Sequence, residues 1–230
     1  MQTSRERCSD LMFGLFRKKQ ARLLRESDCV YASRERADRA LVEAALELCA
    51  QSTPVIVASF FRGSLARIQA ALAREALEPR WVEPRTLPSL PLPRTSKQPL
   101  LLGVASMSVD HGLSSWLLRA EVPFRVLFVE HYPTFEAERN VLEVLEECSA
   151  REPLCVRFHV GLDEPFMSVF GGSRISSLME SMGMTPGEKI EHPMVDRSIV
   201  NAQKKLGKRV PSPQPADTDA EWFALNLTPQ

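Results

Sequence analysis

Four apolar runs punctuate the chain: "TPVIVAS", "LLLGVASM", "RVLFVEH" and "LCVRFHV". Each is bounded by turn-forming or amphipathic sequence. Runs of that length are too short for buried helices and suit strands covered on both faces. Between the runs the period changes. Ala37, Leu41, Ala44 and Leu48 recur every three or four residues, as do Leu65, Ile68 and Leu72, and then Val141, Leu145 and Cys148. Strand and helix in alternation imply right-handed crossovers and a mostly parallel sheet flanked by helices, an α/β fold.

Local signals place the joints. "DCVY" reads as an entry strand, and Ser33 stands where its hydroxyl caps a helix, with Glu35 in the favourable first turn. Arg62, Gly63 and Ser64 read as a turn and cap before the next helix. Pro79, Pro84, Pro88, Pro91, Pro93 and Pro99 predict a stiff, extended connection, since each ring fixes φ and removes a donor. In "LCVRFHV" strict alternation puts Leu154, Val156, Phe158 and Val160 on one side and Cys155, Arg157 and His159 on a half-exposed other.

These signals divide the 230 residues into four expected parts. Residues 1–27 form a flexible basic tail, 28–165 the α/β domain, 166–206 a helical extension, and 207–230 a proline-bearing tail expected to be disordered. In the first part Leu11, Phe13 and Phe16 precede Arg17, Lys18 and Lys19. That pattern fits either a weak peripheral membrane contact or a frayed terminal helix.

Composition removes several function classes. The 29 basic and 29 acidic residues cancel, so no global field draws in nucleic acid, and no specific nucleic acid is expected. Lys204, Lys205, Lys208 and Arg209 read more simply as a helix end favouring its own dipole than as phosphate contacts. Five cysteines without a C-x-x-C pair, and no apolar run of spanning length, point to reduced thiols and a cytoplasmic setting. His111, His131, His159 and His192 show no metal-ligand spacing. Asp110 and His111 sit beside serines but lack the elbow and the converging elements of a hydrolase.

The stretch "RISSLMESMGMTPGEKIEHPMVDRSIVNAQKKL", Arg174 to Leu206, closely resembles the part of the SecA preprotein translocase motor family that leaves its second nucleotide-binding lobe. The Glu191-His192-Pro193 step and the Asn201-Ala202-Gln203 run stand at the family's spacing, without gaps. "DCVYASRERADRALVEAALELCAQSTPVIVAS" and "RFHVGLDEPFM" resemble the start and the last strand of the same lobe. "MFGLFRKK" is similar to the way many SecA chains begin, implying a shortened relative without the first lobe.

The resemblance implies a RecA-like lobe from an ATPase. It also marks where the chemistry departs. His111 precedes Gly112 where the family has an arginine, and Ser114 replaces an acid. Glu147 and Ala150 stand where the arginine fingers would neutralise a transferred phosphoryl group. Arg139 alone keeps register with a family arginine; it reads equally as a surface partner of Glu136 or Glu143. No phosphate-cradling G-x-x-x-x-G-K-[ST] occurs. The expectation is therefore a non-catalytic lobe that binds no cofactor alone, and ATP only with a partner lobe. Glu191, His192, Pro193, Asn201 and Gln203 would form a joint for a SecA-like motor or another translocase component. The alternative is half of a split ATPase completed by a second chain.

Overall fold

A computed structural model describes residues 23–75, 80–81, 99–103, 124–148, 154–169, 171–181, 183, 185 and 187–227. Its strands are β1 (Leu23–Arg25), β2 (Cys29–Tyr31), β3 (Val55–Ser59), β4 (Arg80–Trp81), β5 (Leu100–Gly103), β6 (Arg125–Phe128), β7 (Leu154–Gly161) and β8 (Lys189–Ile190). Its helices are α1 (Arg34–Ala50), α2 (Arg62–Arg74), α3 (Phe135–Cys148), α4 (Pro165–Val169), α5 (Gly172–Ser181), α6 (Pro193–Arg209) and α7 (Asp219–Asn226).

One sheet runs in the order β4-β5-β3-β6-β7-β2-β8, with β1 also paired to β7. Every pairing is parallel except β2 with β8. The expected mostly parallel α/β fold is what forms. Period-two alternation sorts each strand between two faces. Val57, Leu101 and Leu127 pack with Leu41, Ala45, Leu65 and Ile68 of α1 and α2. Ile56, Val126, Phe128 and Val156 pack with Val141 and Leu145 of α3.

Local chemistry sets the helix starts. The Ser33 hydroxyl accepts from Arg36 N at 3.2 Å and caps α1, with Glu35 in its first turn. At α2 the expected cap is absent: the N-cap is Phe61, which offers no side-chain acceptor, and Ser64 is already inside the helix.

Several other boundaries differ from those read in the sequence. The presumed tail 1–27 is tied down from Leu23 onward by pairing of β1 with β7, and Glu26 binds Arg125 and Arg157. At the far end α6 runs on to Arg209, and the segment expected to be disordered folds back as α7 with Trp222 fully buried. One indole in a third apolar cluster, with Phe61, Leu162, Phe166 and Leu206, offsets the low apolar content around it.

His159 is enclosed rather than half-exposed, because Tyr31 stacks on it at 6.2 Å and α1 covers that face. Burial, then Arg157 and Lys189, push its imidazole down to about 3, so the ring is neutral. Most of the proline-rich connection, the Leu11–Lys19 cluster, and His111, Gly112, Ser114 and Ala150 lie outside the described residues.

Candidate functional site

The helix α6 is held at both ends by residues of the Arg174–Leu206 stretch. His192 adopts extended backbone and its Nδ1 accepts from Met194 N at 3.1 Å, while Pro193 takes the first helical position, where a missing N–H costs nothing. Glu191 gathers the strand β8 edge: Lys189 Nζ lies 2.9 Å and Arg157 Nη1 3.5 Å from its Oε1, and the Cys29 thiol donates to the same oxygen at 3.1 Å. Burial, reinforced by that bond, pushes Cys29 up to about 12, so it is an inert thiol.

Nearly two turns before its end, α6 inserts Gln203 into the interior. Its Nε2 donates to Glu138 Oε2 at 2.7 Å and to the Tyr132 carbonyl at 2.8 Å. Glu138 also lies 2.9 Å from His131 Nδ1, and His131 Nε2 lies 3.2 Å from Asp28 Oδ2. Burial opposes a charged ring here, but the Glu138 and Asp28 carboxylates outweigh it and push His131 up to about 10. An imidazolium therefore donates to both acids, stacked on Phe158 at 4.3 Å, with Arg25 bonded to Asp28 from the outside. Asp28 N donates to Asp196 of α6 at 3.2 Å and closes the ring of contacts.

With Gln203 turned inward, the outer side of α6 borders a groove of about 390 Å³ against α4 and α5. Phe166, Met167, Ile175, Met194, Asn201 and Lys205 line it. Met194 is 62% exposed, an apolar side chain standing in water at the rim.

A second polar centre lies at the carboxyl ends of the strands, where open α/β sheets bind their ligands. Glu130 Oε1 accepts from Phe60 N at 2.7 Å and lies 2.7 Å from the Ser59 hydroxyl. Arg67 grips Asp38 with two nitrogens, and Glu164 accepts from Gly161 N at 2.7 Å. Burial pushes Glu164 up to about 8, with Glu130 and Asp219 adding repulsion. Across this centre lies the chain's own C-terminal segment: Arg34 binds Asp219, and Trp222 Nε1 donates to the Tyr132 hydroxyl at 3.1 Å.

The expected residues are thus scattered. Glu191, His192, Pro193 and Gln203 all act within the chain, and Asn201 alone of the five borders the groove. Arg139 is half-exposed and bonded to Glu136 at 2.5 Å and Glu143 at 3.3 Å on its own helix. Glu147 is exposed on the same helix. The buried acids and His131 carried one legible signal, the Glu130-His131 pair directly after an apolar run. Glu138 and Gln203, 65 positions apart, carried none.

No family profile matches the chain. The protein translocase subunit SecA of two Acidithiobacillus ferrooxidans strains is 50% identical over 58 residues. The chain carries a SecA-like segment. SecA of Methylococcus capsulatus is 45% identical over 58 residues. Each match covers 25% of this chain and 6% of the SecA sequence. Among solved structures, the C-terminal part of the Fun30 ATPase domain superimposes with a TM-score of 0.41 at 8% identity, covering 72% of this chain and 53% of that one. No described helix is long and apolar enough to cross a membrane.

Proposed function

We propose that the chain is a SecA-like lobe that serves protein translocation as a non-catalytic interaction module, presenting the outer side of α6 to a SecA-like motor or another translocase component. The observation that carries this reading is the division of labour on α6. Gln203 fixes the helix from inside while Met194, Asn201 and Lys205 border an open groove. A helix locked on one face and bordering an open groove with the other is a preorganised docking element, and preorganisation lowers the entropy cost of binding.

Purified full-length chain is expected to bind a purified SecA motor in biolayer interferometry. Met194→Glu and Asn201→Arg should each weaken that binding at least tenfold without moving the melting temperature. Binding that ignores both substitutions would refute the groove.

Against hydrolysis stand Arg139, committed to its own helix, and Glu147, which brings negative charge. ATP would bind only with a partner lobe, and the split-ATPase alternative predicts turnover when this chain is mixed with a phosphate-loop protein. The site of action proposed is the cytoplasmic face of a membrane, with Leu11, Phe13, Phe16, Arg17, Lys18 and Lys19 as a weak surface contact.

A further inference from the structure

The first turn of α2 begins at the carboxyl end of β3 with no side-chain cap, so its leading N–H groups need acceptors from elsewhere. The chain's own C-terminal segment supplies one. Gly63 N donates to the Asp217 carbonyl at 2.9 Å. The approach is close enough that a Cβ at Gly63 would stand 2.7 Å from Thr218 Cγ2. Arg34 binds the Asp219 carboxylate, and Arg62 lies 4.0 Å from Asp217.

Behind these contacts Trp222 fills an aromatic slot. Tyr132 meets it edge-on at 6.0 Å, and Phe60 and Phe61 lie against Tyr132 at 5.4 and 5.8 Å. The slot takes one large aromatic and a polar N–H, and Trp is among the residues enriched where interfaces concentrate their binding energy.

We infer that the crevice over the carboxyl ends of β2, β3 and β6 is a docking site for an acidic, Trp-anchored helical segment of a protein partner, and that residues 217–225 are its resident occupant in the free chain. The occupant is built as a separable ligand. Thr218 accepts from Glu221 N at 3.1 Å, and Glu221 reaches back to Asp217 N at 2.9 Å, so the helix caps itself. Gln214 and Asn226 bond to each other and close the segment as its own loop. It adds no strand to the sheet. Pro211, Pro213 and Pro215 form a mostly exposed tether from α6 that can swing without melting either helix.

The crevice also keeps binding capacity in reserve. Arg34 Nε is enclosed without an acceptor, so the resident Asp219 does not use the whole guanidinium fork. A partner carboxylate that spans the fork gains a bond the resident lacks. This site is separate from the α6 groove, and its failure would leave the reading of that groove untouched.

The probe is a fluorescein-labelled peptide with the sequence of residues 211–230, titrated by anisotropy against full-length chains. The peptide is expected to bind the Trp222→Ala, Asp219→Asn chain at least tenfold more tightly than the unsubstituted chain, whose crevice is filled. A Trp222→Ala version of the peptide should bind neither. Adding Arg34→Ala to the double variant should cost at least fivefold. Equal binding by both chains, with the variant folded by circular dichroism, overturns the proposal. A second measurement needs no variant: unlabelled peptide at about 10 mM, above the millimolar effective concentration of the tethered segment, should raise hydrogen exchange across residues 217–226 of the unsubstituted chain, and unchanged exchange overturns it. A dimer on size exclusion that excess peptide dissociates assigns the crevice to exchange between copies and overturns the partner.

Discussion

The helices α6 and α7 both lie beyond the parallel sheet, yet they are attached by opposite means. α6 is pinned by a buried charged cluster in which one imidazolium, two carboxylates, an arginine and the Gln203 amide nitrogen are bonded together. α7 is seated by one indole, bonded to the Tyr132 hydroxyl, by the Gly63 N–Asp217 bond and by the Arg34–Asp219 ion pair. Charges taken out of water hold only while every partner is present, so the first attachment is all-or-none. An aromatic in a slot is lost and regained one contact at a time. The first suits a permanent joint, and the second suits a part that comes and goes.

The sharpest way to break this contrast is to remove the imidazolium. His131→Ala would leave Asp28 and Glu138 buried against each other, costing about 3–5 kcal/mol in urea unfolding and loosening α6 together with β2. Trp222→Ala should cost about 3 kcal/mol, but locally: hydrogen exchange across 217–226 should rise while α6 stays protected. If both substitutions loosen both helices equally, the contrast fails.

Titration sharpens it further. His131 is raised to about 10 and Glu164 to about 8, so each favours the folded state when protonated. For each, the contribution is complete below the unfolded value and is lost as pH climbs through the folded one. Through Glu164 melting temperature is expected to fall from pH 4.5 to about pH 8, and through His131 from pH 6.5 to about pH 10, so Glu164→Gln should flatten the part of the slope below about pH 8.

Smaller effects lie outside both attachments. Ser33→Ala should cost about 1 kcal/mol by uncapping α1, measurable by thermal melts. Arg139→Ala should change stability by less than about 0.5 kcal/mol, since both its ion pairs are in solvent. A larger loss would mean that Arg139 has a partner beyond Glu136 and Glu143.

What could be read in the sequence was whatever depends on near neighbours. β3, β5, β6 and β7 showed as apolar runs, and the cap at Ser33 as a single residue before a periodic stripe. β1 did not, because Leu24 is 46% exposed and the strand exists only by pairing with β7, over a hundred residues away. α7 was hidden by averaging, since the prolines and acids around Trp222 dilute the one residue that docks. Alternation put His159 on the wetter side of its strand, and only the packing of Tyr31 and α1 reverses that. Gln203 belonged to a stretch that pointed outward to a partner, and its carboxylate partner comes from α3. Long-range polar contacts leave no periodicity behind them.

The proline-bearing tether between Val210 and Asp217 has one more consequence. A helix leashed so near its own slot is present there at an effective concentration of order millimolar, whatever its intrinsic grip. A rival arriving singly from dilute solution meets that standing level and loses. Rivals gathered on a shared scaffold or in a crowded patch do not, so an emptied slot would register that such molecules have assembled in one place.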